Sequence, residues 1–372
     1  MKKITFSIKK IILCIAAVLS FLIFLILSAV TKHLGNSLES QQMAQRWSKK
    51  GNVAQISCFF SPNSGVTKDS VEEFEHTMDR VLEEASIVSE SENPGARLWA
   101  DAYSAGGTLM ISSERSSMMV DAIGIGGDFF LFHPLKLLSG SYFSGNSLMQ
   151  DYCIIDEDAA WQLFGSNDVA GMIVMINQTP HMITGVIERP EGRLEEAAGL
   201  DGSLAYVSYE TLMKSNPGSQ INHYEIVMPN PVSGFARQKV QENFAVDERE
   251  VELIENSSRY SFLSCLKLLS AFGTRSMNGK AIIYPYWENI ARGYEDMIAV
   301  VTLFMLLFLI FPVVYTLVCF VLWWKHKGWT VRDIWNKGKD KLERFFEKRR
   351  LRRLRKKKSG KDITEGEWLE WL

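Results

Sequence analysis

The sequence predicts an α+β extracytoplasmic domain of mixed short strands and helices, in two subdomains, set between two transmembrane α-helices and followed by a basic amphipathic tail. Three observations carry this reading. Residues 11–30 and 297–322 are apolar runs without a charge. Each abuts a block of lysine and arginine, and the long segment between them is acidic and of mixed polarity. At about 1.5 Å of rise per helical residue, about 20 apolar residues span roughly 30 Å, the thickness of a bilayer's hydrocarbon core.

Lys2, Lys3, Lys9 and Lys10 precede the first run with no acid among them, and short basic flanks stay in the cytoplasm during insertion. A cleaved signal peptide is the rival reading; its apolar core is about 7 to 15 residues long and ends in a small-x-small site. Here the run has 20 residues and Ser28-Ala29-Val30-Thr31-Lys32 matches such a site poorly, which favours an uncleaved anchor. The second run carries Pro312, a kink-forming residue, and leads into Trp323 and Trp324, then Lys325, His326 and Lys327. That is an interfacial aromatic belt with a basic stop. Residues 325–372 hold 17 basic and 8 acidic residues; of the whole-chain 41 and 43, the middle therefore keeps 20 basic and 35 acidic. The expected organisation is a cell-membrane protein with residues 1–10 cytoplasmic, 11–30 the first span, 31–296 extracytoplasmic, 297–322 the second span and 323–372 a cytoplasmic tail.

Within the middle segment, residues 53–60 read as a buried strand. Residues 69–87 read as a helix that opens on capping residues and repeats Val71, Phe74, Met78, Val81 and Leu82 at helical spacing. Residues 97–104, 108–112 and 118–125 are strand-like runs separated by glycine or serine turns. A Phe-rich turn at Asp128-Phe129-Phe130 leads through residues 137–143 to a strand at 152–156 and a short helix at 157–164, stopped by Gly165. Strands at 172–176 and 181–187 follow, with Asn177-Gln178-Thr179-Pro180 as the turn between them. Taken by themselves these residues describe a strand–helix–hairpin unit, with Leu163 and Phe164 as core and Gly140 and Gly165 at turns.

The stretch from Asp128 to Ile187 resembles the MacB-like periplasmic core domain, the extracytoplasmic module of FtsX-like ABC transporter permeases. The resemblance rests on Leu137, Gly140, Phe143, Ile154, Ile155, Asp156, Glu157, Ala160, Leu163, Phe164, Gly165, Gly171, Val174, Gly185 and Val186. Ser141 stands where that family usually has arginine. The order of span, domain and span agrees with the family over residues 1–325, and the motif residues read as structural. Such permeases normally continue into a third and a fourth membrane helix, whereas no stretch after Leu322 is apolar enough to cross again. The resemblance therefore implies a partner: a separate ABC ATPase subunit and a sister permease.

In residues 329–358, Val331, Ile334, Trp335, Leu342, Phe345, Phe346, Leu351 and Leu354 fall on or near one side of a helix, with basic residues filling the rest. Such a helix lies along an anionic bilayer surface, each engaged basic residue contributing about 1 kcal/mol. Trp335, Phe345, Phe346, Arg349, Arg350, Arg352 and Arg353 are the candidate contacts to lipid or to a cytoplasmic partner such as an ATPase. No recognition module accompanies the charge, so nucleic acid is not an expected partner. The acidic, aromatic residues 365–372 form either a docking peptide or a strap folding back on the basic run.

Little in the chain suggests catalysis, and no cofactor is implied. Cys14 and Cys319 lie in the spans, leaving Cys58, Cys153 and Cys265 outside; Cys58 and Cys153 sit in strand-like runs and read as buried thiols. The six histidines are scattered, and the one grouping that looks like a metal motif, Glu72, Glu73, Glu75 and His76, reads as the solvated face of an amphipathic helix. Asp156, Glu157 and Asp158 stand at a strand-to-helix junction, where acids cap the helix. Gly124-x-Gly126-Gly127 is not followed by a helix start, and there is neither a P-loop nor a Gly-x-Ser-x-Gly elbow. The chain is read as no enzyme. It is a membrane component passing motion between an ATPase and the outer domain for export or envelope regulation, or else a non-transporting sensor or scaffold whose outer domain binds a ligand or envelope protein.

Overall fold

The structure, a computed structural model, describes residues 8–87, 96–200, 202–271, 282–326, 335 and 339–349. In chain order the helices are α1 (Ile8–Asn36), α2 (Met43–Trp47), α3 (Lys68–Glu84), α4 (Phe129–Phe132), α5 (Glu157–Phe164), α6 (Arg193–Ala197), α7 (Tyr209–Ser215), α8 (Phe235–Asn243), α9 (Phe262–Ala271) and α10 (Tyr286–His326). The strands are β1 (Val53–Phe60), β2 (Ala100–Ser112), β3 (Ser117–Gly127), β4 (Leu137–Gly140), β5 (Tyr152–Asp156), β6 (Ile173–Ile176), β7 (Thr179–Ile187), β8 (Leu204–Ser208), β9 (His223–Pro229) and β10 (Val251–Glu255). Two compact units result, one of residues 22–307 and one of residues 1–21 with 308–372.

The described strands of the larger unit join one sheet, in the order β10-β1-β9-β2-β3-β8-β5-β7-β4. The two halves of the domain thus share a sheet rather than carrying separate ones. β6 pairs with both β2 and β7, which closes β2, β3, β8, β5, β7 and β6 into a circuit. Pairing is antiparallel except for β3 with β8 and β5 with β7.

Strand alternation sorts the apolar residues onto two faces. Ala54, Ile56, Cys58 and Phe60 of β1, with Tyr224, Ile226 and Met228 of β9, pack against Val71, Phe74, Met78 and Leu82 of α3 and Ala236 and Val240 of α8. On the other face Ala100 and Ala102 of β2, Ile123 and Ile125 of β3 and Tyr206 of β8 meet Met43 and Ala44 of α2, Phe129, Phe130 and Phe132 of α4, and Trp287 of α10. α3 begins where the Thr67 side chain accepts from the Ser70 amide at 3.3 Å. α5 begins on Asp156, whose Oδ1 accepts from the Ala159 amide at 2.8 Å, and ends on left-handed Gly165.

Several local expectations change. The runs at 97–104 and 108–112 are one 13-residue strand, β2, because Gly106-Gly107 makes no turn. Together with Gly124 on β3, Gly107 lets α7 approach the sheet: a Cβ on Gly124 would lie 2.7 Å from Leu212 Cβ. A four-residue helix, α4, does begin after Gly127, driven by burial of three phenylalanines. The β6–β7 turn is the two residues Asn177 and Gln178, both with positive φ, while Thr179 and Pro180 already belong to β7. Cys58 and Cys153 are buried free thiols, and burial pushes Cys153 up to about 12.

α1 and α10 are long and apolar enough to cross a membrane. Both outrun the expected spans of 11–30 and 297–322, and α10 continues as a helix through Pro312. In the smaller unit the two helices meet where Ser20 Oγ donates to the Phe308 carbonyl at 2.7 Å, and residues 339–349 are helical.

Two outcomes test this packing in the detergent-solubilised chain. Gly140 has φ +77°, and a Cβ there would lie 2.0 Å from the Thr184 carbonyl oxygen, whereas one on Gly165, at φ +73°, would meet nothing within 4 Å. Gly140→Ala should therefore cost about 3 kcal/mol or more and Gly165→Ala about 1 kcal/mol, read by thermal or urea denaturation. Asp101 on β2 is pushed up to about 8 from 3.8 by burial and by the neighbouring Glu75 carboxylate. Its neutral form is favoured on folding, so its contribution is full below pH 3.8 and lost as pH rises through about 8. Asp101→Asn should stabilise the chain at pH 8, by at most several kcal/mol at about 1.4 per pKa unit, with the gain shrinking towards pH 4.

Candidate functional site

On β1 and β9 the apolar alternation gives way to a cluster of buried polar side chains. On the face of β1 opposite α3 stand Gln55 and Ser57, and beside them on β9 stand His223 and Glu225, with Ser57 directly across from Glu225. All four are at most 1% exposed. His133, which follows α4, joins them at 1%.

Buried polar atoms need partners, and here the partners come from the segments joined to the two long helices. Ser57 Oγ donates to Glu225 Oε1 at 2.5 Å and receives Asn256 Nδ2 at 2.7 Å. Asn256 Oδ1 accepts from Arg259 Nη1 at 3.3 Å. Arg259 makes a two-pronged pair with Glu288 of α10 at 2.7 and 2.8 Å and donates Nε to Glu295 at 2.5 Å. Arg292, one turn beyond Glu288, reaches back to it at 2.8 Å, across to Glu252 of β10 at 2.9 Å, and lies 3.7 Å over the Tyr284 ring. From the α1 side, the Met43 amide donates to Gln55 Oε1 at 2.9 Å, and Gln55 Nε2 donates to the Ser40 carbonyl at 2.7 Å and to Glu225 Oε2 at 3.3 Å. One hydrogen-bonded chain thus runs from the base of α10, through β1, to the segment that follows α1.

The aromatic wall around it belongs to the same joint. Trp287 stands 4.4 Å from the His133 ring and 5.3 Å from His223, centre to centre, and Tyr286 shares a 2.8 Å hydrogen bond with Tyr206 of β8. Burial pulls the Arg259 guanidinium down, but Glu288 and Glu295 more than offset this and hold it well above its ordinary value. Burial works against the charge on Glu225, and the Ser57 hydroxyl that donates to it works the other way. Burial drives His133 down to about 3, which leaves it neutral at neutral pH. Chemically the arrangement fixes α10 through charges that separate only at high cost, ties the segment after α1 to β1 through the neutral Gln55 amide, and gathers two imidazoles and a carboxylate able to hold a metal ion.

The motif residues lie elsewhere. Leu137 and Gly140 are on β4, and Phe143 is buried beside Phe130. Asp156 caps α5 and also accepts from the Leu204 amide at 2.8 Å, while Glu157 accepts from the Arg189 amide at 3.2 Å. Ala160, Leu163 and Phe164 pack in the core, Gly165 closes α5, the Gly171 amide bonds the Ile183 carbonyl at 2.7 Å, and Gly185 lies in β7. These residues build the strand–helix–hairpin unit and none enters the polar chain. Glu72, Glu73 and His76 are exposed on α3. In the tail Trp335, Phe345 and Phe346 are exposed, and Arg349 is in the helical stretch 339–349; Arg350, Arg352, Arg353 and residues 365–372 lie outside the described residues.

Gln55, Ser57, His133, His223, Glu225, Asn256, Arg259, Trp287 and Glu288 were not singled out by sequence. One signal was present: His223 and Glu225 stand two apart in an otherwise apolar strand, a spacing that puts both on one face and that reading the histidines as scattered passes over.

Comparison with known proteins gives a family model, MacB-like periplasmic core domain, that matches residues 11–243. The macrolide export ATP-binding/permease protein MacB of Pasteurella multocida strain Pm70 is 29% identical over 101 residues, which are 25% of this chain and 16% of that protein. The protein of the same description from Neisseria gonorrhoeae strain FA 1090 is 26% identical over 117 residues, 31% of this chain and 17% of that protein. The chain therefore matches about a sixth of the length of these curated relatives. Among solved structures, the extracellular domain of the noncanonic ABC-type transporter YknZ from Gram-positive bacteria is 16% identical with a TM-score of 0.35, covering 54% of this chain and 99% of that one. The periplasmic region of MacB from Actinobacillus actinomycetemcomitans is 14% identical with a TM-score of 0.36, covering 56% and 92%.

Breaking the joint from one side should be far worse than removing it whole. Glu288→Ala strands Arg259 in the interior and should cost about 3–5 kcal/mol, whereas Arg259→Met with Glu288→Leu should recover most of that loss in urea denaturation of the full chain.

Proposed function

The chain belongs to the family of MacB-like periplasmic core domains, and from that membership we propose that it is the membrane component of an ABC export or envelope-regulating system, passing motion between a separate cytoplasmic ATPase and the central domain. The observation that carries the proposal is the joint at the base of α10. Glu288 and Arg292 are held by buried or half-buried ion pairs, Trp287 is sunk in the core, and α10 is helical without interruption from Tyr286 to His326. A rigid element clamped in this way transmits a displacement that a loop would absorb. The segment after α1 is clamped to the same strand through Gln55.

In this proposal both termini are cytoplasmic and the central domain faces outward, as the basic flanks of the apolar runs favour. The exposed Trp335, Phe345 and Phe346 with Arg349, Arg350, Arg352 and Arg353 would meet the inner lipid surface or the ATPase, and a sister permease would complete the transport unit. The ATP-binding/permease description of the relatives supports an ATPase partner.

Co-purification from native membranes in mild detergent tests this. An ABC-type ATPase should be recovered with the full chain and lost on deleting residues 329–372. Recovery of neither an ATPase nor a second permease, with the deletion changing nothing, would overturn the proposal.

A further inference from the structure

His133 and His223 lie apart from the motif residues and flank Glu225, the carboxylate that the hydrogen-bonded chain reaches on β9. His133 Nε2 lies 3.4 Å from Glu225 Oε2, and His223 Nε2 lies 3.2 Å from Glu225 Oε1. Despite these distances, both ring nitrogens of His133 and Nε2 of His223 have no hydrogen-bond partner. Close as they are, the rings and the carboxylate do not meet in hydrogen-bond geometry, and three buried ring nitrogens stand without a partner. A buried polar atom left without a partner loses its hydration with nothing in return.

We propose that His133, His223 and Glu225 bind one divalent transition-metal ion of the zinc class. Their ligand atoms all lie within 4.8 Å of one another. Around a tetrahedral ion with bonds of about 2.0–2.1 Å, neighbouring ligand atoms stand about 3.3 Å apart, and the two histidine–carboxylate separations, one to each carboxylate oxygen, are 3.4 and 3.2 Å. An ion placed there gives the two Nε2 lone pairs a partner and neutralises the buried carboxylate.

The surroundings hold two of the three ligands, His223 and Glu225, through hydrogen bonds one step further out. His223 Nδ1 lies 3.3 Å from Ser104 Oγ, which turns Nε2 towards Glu225. The carboxylate is steadied by Ser57 and Gln55, and Ser57 by Asn256. Two imidazoles and a carboxylate, with no thiol on this face, select zinc or a neighbouring late divalent metal over calcium, magnesium or copper(I). A fourth position is left for water. With His133 and His223 at most 1% exposed, and Phe129 and Trp287 ringed against His133, the ion's role is structural: it ties the chain after α4 to β9 beneath Trp287.

The test uses the full chain in detergent, purified through a tag without histidine, with metal read by plasma mass spectrometry. About one zinc-class ion per chain is expected, retained through dialysis, with a lower Tm after a strong chelator and recovery on adding Zn2+. His223→Gln should weaken Zn2+ binding by at least about 100-fold, and Ser104→Ala, one step out, by about 10-fold. Absence of metal with no response of Tm to Zn2+ overturns the proposal, as does a metal content unchanged in His133→Gln and His223→Gln. If those variants do not fold, the Cu2+-loaded native chain decides by electron paramagnetic resonance: hyperfine splitting from two imidazole nitrogens supports the site, and none overturns it. Metal content is read without any ATPase, so its failure and that of the transport proposal are separable.

Discussion

The pair of Arg259 with Glu288 is the interaction around which the larger unit is organised. Both side chains are almost wholly removed from water, at 3% and 1% exposed. Taking two charges into an interior costs several kcal/mol each, recovered only where the geometry is two-pronged and every remaining polar atom has a partner. That requirement propagates. Arg259 must also find Glu295 and Asn256, Asn256 must find Ser57, and Ser57 must find Glu225. Each step moves the polar chain inward from a helix to the middle of a sheet, so part of one face of β1 and β9 is polar.

The two faces of the sheet therefore do different work. The face under α3, α5, α7 and α8 carries the larger apolar core, with Asp101 buried beside Glu75 at its edge, and makes the domain stable. The opposite face carries the aromatic cluster around Phe129 and Trp287 and, within it, the ionic chain. An apolar core of similar volume in place of that chain would be at least as stable, and what the charges add is directional. Apolar side chains slide against one another with small changes in energy, whereas a forked guanidinium–carboxylate pair holds one register. That distinction bears on a helix proposed to carry motion.

The family motif and the candidate site occupy separate parts of the molecule. Leu137, Gly140, Phe143 and the Asp156–Gly165 segment shape the β4–β7 unit with α5, where a capped helix and a left-handed glycine fix the backbone. The joint draws on β1, β9, Asn256, Arg259 and α10, and Asn256, Arg259 and Glu288 lie beyond the matched residues 11–243. What makes the domain recognisable is the part that fixes its backbone, and what ties it to its helices is less marked in sequence.

Much was determined by the sequence alone, because the signals are local. Two charge-free runs specify two long helices, Asp156 starts α5 and Gly165 ends it, and largely apolar runs mark β1 and β5. Where local signals mislead, a distant element overrides them: Gly106-Gly107 reads as a turn but lies inside β2 because α7 needs the space, and Phe129–Phe132 coils into a helix because the core takes its rings. Only tertiary structure decides the rest. Pairing in register places Ser57 opposite Glu225, 168 residues away, and the fold brings Arg259 to Glu288 and His133 to His223. No periodicity encodes such meetings, because a strand's pattern tells which face a residue takes but not which strand, or which helix, will come to lie against it.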